Sequence, residues 1–112
     1  MSDNRYHYLR PEVISQLEAG TLLDLKDAQA TRYAYAEAIV ELGARNPDVV
    51  VLDADVSKSV RTTAFAEAYP ERSFNFGIAE QNMMAAAAGM ATTGLIPFAT
   101  SYAVFLTMRA LD

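Results

Sequence analysis

One acid, Glu80, stands at the head of the least polar stretch in the sequence, FNFGIAEQNMMAAAAGMATTG, from Phe74 to Gly94. A lone carboxyl group in such a run is a candidate general acid or base. Two other segments carry groups fit for a site. DADVSKS holds Asp53, Asp55, Ser57 and Ser59, and TSYAVF holds Thr100, Ser101, Tyr102 and Phe105. Each also has an ordinary use. A glutamate often decorates a helix start, and an aspartate after a strand often bonds a turn. Tyr102, Phe105 and Met108, three apart, suit core packing on one side of a helix.

These residues need a frame to bring them together. The run Val49 to Leu52 is continuously apolar, as in a strand buried on both faces. SFNFG (73–77) and IPFATS (96–101) read as two more strands. Helical patterns lie between and around them. One is TRYAYAEAIVELGAR (31–45), with Thr31 as its cap and Ala34, Ala38, Ile39 and Leu42 on one face. The others are 59–69, ending before Pro70, then Glu80 to Thr92, closed by Gly94, and a last helix from Tyr102 onward. Ahead of these, residues 1–9 form a tail and PEVISQLEAG (11–20) a short helix from Pro11 to Gly20. Residues 21–30 form a connector. Strands alternating with helices predict an α/β domain, a parallel sheet with helices on both faces. In such sheets ligands sit at the carboxyl ends of the strands. DADVSKS, GIAEQ and TSYAVF therefore open on one edge. The sequence stops at MRALD inside a helical pattern, so the domain reads as truncated at its C-terminal side.

Composition narrows the class. Of 112 residues, 52% are hydrophobic and 21% charged, a folding composition. With 9 basic and 14 acidic residues the net charge is −5, which argues against a binder of nucleic-acid backbones. There are no cysteines, so disulfides and thiolate metal sites are excluded. The apolar run Met83 to Ala91 is too short to span a bilayer. MSDNRYHYLR lacks the apolar core of a signal peptide. A soluble, cytoplasmic protein is expected. Because MMAAAAGMA is apolar all round, its helix is expected to be buried on every side, in a core or an oligomer interface.

FNFGIAEQNMMAAAAGMATTGLIPFATSYAVF resembles the pyrimidine-binding domain of the transketolase family of thiamine-diphosphate enzymes, above all the C-terminal section of split, two-gene transketolases. ATRYAYAEAIVELGARNPDVVVLDADVSKS is similar to the opening of that domain, so the resemblance covers about 31–112. It implies that Glu80 hydrogen-bonds N1′ of the aminopyrimidine ring and promotes the tautomer that activates the cofactor. It implies that Tyr102 and Phe105, with Met108 where transketolases usually carry a third aromatic, form the pocket around that ring. Asp55 matches an aspartate near the thiazolium. Ser59 and Arg32 match residues on the sugar phosphate, and an arginine fork suits two phosphate oxygens.

The diphosphate and Mg²⁺ motif, G-D-G…N, is missing from these residues, and so is any Gly-rich phosphate loop. No metal ligands are assigned within the chain. The single histidine, His7, lies outside the resemblance. The resemblance therefore implies half a site, completed by a diphosphate-binding partner subunit in a homo- or hetero-oligomer. Thiamine diphosphate and Mg²⁺ would be held jointly, and a two-carbon ketol unit moved between sugar phosphates, with the chain alone inactive. A deoxyxylulose-phosphate synthase, a 2-oxoacid dehydrogenase β-subunit and a non-catalytic, self-associating fragment stay open beside it.

Overall fold

A computed structural model describes Pro11 and residues 30–111. The chain divides into two units, Met1–Ala30 and Thr31–Asp112. Apart from Pro11 and Ala30, all described residues belong to the second unit. The helix expected over 11–20 and the connector 21–30 otherwise lie outside the described residues.

The second unit runs α1 (Thr31–Arg45), β1 (Val49–Asp53), α2 (Ser57–Val60), α3 (Thr63–Ala68), a 3-10 turn (Pro70–Arg72), β2 (Ser73–Asn75), α4 (Glu80–Thr92), β3 (Ile96–Thr100) and a π-helical turn (Phe105–Arg109). The strands form one sheet in the order β2-β1-β3, both pairings parallel. All of β1 is buried. Its side chains alternate between two cores, as the pleat requires. Val50 and Leu52 pack with Ala54, Met83 and Ala87 on the α4 side, while Val49 and Val51 pack with Ile39 and Phe65 on the other. Helices thus cover both faces of an α/β sheet, the fold class the sequence predicts. Among the described residues no helix is long and apolar enough to cross a membrane.

Three local readings are corrected. The face of α1 is turned from the one expected. Ile39 and Gly43 are buried, but Ala34, Ala38 and Leu42 are exposed. Gly43 sets this orientation. A Cβ built there would lie 2.7 Å from the Phe65 ring and 2.9 Å from the Tyr69 ring, so only glycine lets the helix approach them. Gly43→Ala should therefore overpack the fully buried Phe65. Overpacking costs about 1–3 kcal/mol, and better helix propensity returns about 1, so a net loss of up to ~2 kcal/mol is expected in denaturant melts.

The single helix expected over 59–69 is two helices, broken where Arg61 adopts φ 67°. The break buries Thr62, whose hydroxyl donates to Asp53 Oδ2 at 3.4 Å, while Arg61 reaches Tyr33 Oη at 2.6 Å. The last helix is mostly a π turn, closed by Ala110 N–H donating to Phe105 O at 3.1 Å. In this wider turn each residue rotates less, so positions three apart no longer align. Tyr102 and Phe105 still meet edge to face, whereas Met108 is 72% exposed.

Arg72 clasps the end of α1 to the sheet. Its Nη1 donates to the carbonyls of Gly43, Asn46 and Val49 at 3.1–3.4 Å, and its guanidinium stacks 4.0 Å from the Tyr69 ring centroid. The helix-end carbonyls thereby gain a cationic donor. This fixes α1, and with it Arg32 and Tyr35, against the sheet.

Candidate active site

The register of the sheet aligns the three strand ends. Asp53 lies opposite both Asn75 and Thr100, so the loops that follow emerge along one edge. Asn75 ties two of them together. Its Oδ1 accepts from Asp55 N–H at 3.0 Å and from Gly77 N–H at 2.9 Å. Asp55 N–H also donates to Asp53 Oδ1 at 3.1 Å. These bonds hold Asp55 exposed, in the left-handed region at φ 62°. They also end β2 at Asn75, two residues short of the expected strand, by turning the chain at Gly77, φ 69°. Glycine meets that φ without strain.

That turn delivers Glu80 as the first residue of α4, as expected. Its side chain is 2% exposed. The positive end of a helix dipole favours a carboxylate there. The partner that meets its charge is Arg109, whose Nη1 donates to Oε1 at 3.3 Å and to Oε2 at 3.4 Å. Glu80 and Arg109 line a cavity of about 310 Å³ together with Ile78, Ala79, Gln81 and Asn82. The Arg109 guanidinium lies 4.2 Å from the Phe105 ring centroid. Phe105 in turn meets Tyr102 edge to face, with centroids 5.7 Å apart. A continuous row of contacts thus links Glu80, Arg109, Phe105 and Tyr102.

Tyr102 lines a second, open groove of about 300 Å³ with Arg32, Tyr35, Ser59 and Thr100. Here Arg32 Nη1 donates to the Ser59 carbonyl at 3.5 Å. The structure therefore brings Arg32 and Ser59 together, from positions 27 residues apart in sequence, with Tyr102 beside them. Asp55 and Met108 line neither cavity. Tyr35, Asn75 and Arg109 are site residues the sequence reading did not select. A signal existed for Arg109. A buried carboxylate needs a counter-charge, and Arg109 is the only basic residue after Arg72.

Tyr35 braces the groove by sharing a hydrogen bond with Thr100 Oγ1 at 2.6 Å. Burial raises its phenol above the ordinary value of 10.0, and the Thr100 bond opposes this more weakly. A raised folded-state value stabilises the fold below the unfolded value and loses that contribution as pH rises through the folded one. Stability is expected to fall above about pH 10, and Tyr35→Phe should flatten that part of the fall in melts taken from pH 8 to 11. Tyr33 shifts the opposite way, lowered first by the hydrogen bond from Arg61 and then by its charge.

The parallel sheet with helices on both faces agrees with comparisons to known proteins. Residues 27–112 match the family model described as transketolase, pyrimidine binding domain, and the chain belongs to this family. It is 53% identical over 81 residues to a chain named as a transketolase C-terminal section from Methanocaldococcus jannaschii, covering 72% of this chain and 26% of that one. A 1-deoxy-D-xylulose-5-phosphate synthase of Frankia casuarinae is 47% identical over 78 residues, covering 70% of this chain and 12% of the enzyme. Among solved structures, a split-gene transketolase described as an inactive β4 tetramer matches with a TM-score of 0.65 and 63% identity. That match covers 72% of this chain and 27% of the other. The chain thus spans about a quarter of the length of its split-transketolase relatives.

Proposed function

We infer that this chain supplies the aminopyrimidine half of a thiamine-diphosphate site in a two-component transketolase, which moves a two-carbon ketol unit from a ketose phosphate to an aldose. The observation that carries the reading is the enclosed Glu80 carboxylate at the carboxyl end of β2, linked through Arg109 to an edge-to-face aromatic pair. One acid beside an aromatic wall fits a flat ring with hydrogen-bonding nitrogens. When bound, thiamine diphosphate supplies the nucleophilic carbon that carries the transferred unit.

In this reading Glu80 holds a proton shared with ring atom N1′. Tyr102 and Phe105 flank the ring and exclude water, with Met108 at the outer margin. Asp55 stands toward the thiazolium side. Arg32 and Ser59, gathered in the second groove, receive the sugar phosphate. In this reading the pyrimidine-binding domain occupies residues 31–112, within the segment the family model matches. The compartment is the cytoplasm. The G-D-G…N residues for diphosphate and Mg²⁺ belong to a partner subunit, and support for this comes from the split-gene transketolase relatives. A second copy of the chain covers the exposed face of α4, and support for this comes from the β4 assembly of the split-gene relative.

Titration calorimetry tests the half-site directly. Thiamine diphosphate with Mg²⁺ should bind tightly only after the chain is mixed with its diphosphate-binding subunit. Tight, Mg²⁺-dependent binding to the chain alone would sink the reading.

A further inference from the structure

We propose that Arg109 is the positioning residue of Glu80: it keeps one carboxylate oxygen and aims the other at the bound ring. This rests on the assignment of Glu80 to the ring nitrogen. The geometry supports it in three ways. First, Arg109 is the one side chain among the described residues that hydrogen-bonds the Glu80 carboxylate, which is 2% exposed. Removing the partner of a buried charge leaves that charge uncompensated. Second, both carboxylate oxygens lean on the same nitrogen, Nη1, at 3.3 and 3.4 Å. One oxygen suffices to keep that nitrogen, which leaves the other to turn toward a ligand. Third, Arg109 is itself held. The π turn sets it over Phe105, 4.2 Å from the ring centroid, although its side chain is 49% exposed. A guanidinium on an aromatic face keeps its edge free to donate.

The consequence is that acid and aromatic wall form one unit. Phe105 orients Arg109, and Arg109 orients Glu80. A lysine at this position would lack the planar fork and the stacked seat. It would keep the charge and lose the aim.

The test uses the chain assembled with its partner subunit. Arg109→Ala should lower turnover by roughly 10–100-fold, the scale at which small misplacements of a reacting group act. Because Arg109 is half-exposed and borders a cavity, added methylguanidinium should restore activity several-fold, and tetramethylammonium at equal concentration should not. In the Glu80→Gln background, Arg109→Ala should cost little more. Thermal unfolding of the chain supplies a readout independent of activity: Arg109→Ala should lower Tm more when Glu80 is present than in the Glu80→Gln background. Arg109→Met, which keeps the stem, repeats both measurements should the alanine variant fail to fold.

Unchanged turnover in an Arg109 variant overturns the proposal, and so does an equal loss in both backgrounds without guanidinium rescue. In either case the role of Arg109 is packing alone. If Glu80→Gln transfers at the native rate, the functional reading of Glu80 fails instead. If Glu80→Gln is inactive and Arg109→Ala is not, only the positioning role fails.

Discussion

In the complex assembled with its partner subunit, Glu80→Gln should lower steady-state transfer by about 10²–10⁴-fold, the usual contribution of a general acid or base. The variant keeps the size of the side chain and its capacity to hydrogen-bond. It loses the exchangeable proton that the ring nitrogen would share. Cofactor affinity, measured by calorimetry on the same complex, should fall much less than turnover. That split separates a lost proton from a lost seat. Glu80→Asp keeps the carboxyl but shortens the reach, and it also pulls the acid away from Arg109 at 3.3 Å. It should fail as well, since a misplacement of about 1 Å can cost 10²-fold. Near-native transfer by Glu80→Gln would reduce Glu80 to the first residue of a helix.

The parts of this site that were legible in the sequence are those fixed by chain-local chemistry. A continuous apolar run gave β1, because a strand with helices on both sides has no polar face. The strand–acid–helix order around GIAEQ placed Glu80 at the start of α4, where the structure has it. For Arg109 the sequence carried only the general demand of an acid for a counter-charge; the contact itself was not legible, because the pair spans 29 residues and depends on a π turn. A three-residue spacing reads as one helix face only if the helix is α, and Met108 lies in a π turn with its side chain largely exposed. The orientation of α1 was also hidden. Its alanines weigh equally on several faces, and the residue that decides the matter, Gly43, carries no side chain to count. Arg61 reads as one more helical residue until Thr62 is seen to be drawn inward to Asp53.

The second large effect concerns assembly. The sequence predicts α4 to be covered all round, but within the chain only Glu80, Met83 and Ala87 are buried. Ala85, Ala88 and Gly89 lie exposed on the opposite side, and a Cβ at Gly89 would meet nothing within 4 Å. The residues bordering that strip, Gln81, Asn82, Met84 and Thr92, carry no charge. Small residues on an uncharged helix face allow two backbones to approach closely, and association would bury the apolar surface that the single chain leaves in water. Sedimentation at micromolar concentration should show a dimer or larger species. Ala88→Arg places a long cation in the middle of the strip without touching the core on the other side. Burying that charge unpaired costs several kcal/mol, so association should weaken by at least ~100-fold. The same variant should melt at close to the native temperature once concentrations are low enough that both proteins are monomers. A native chain that sediments as a folded monomer would refute self-association through α4. An Ala88→Arg variant that still assembles would move the interface to another face.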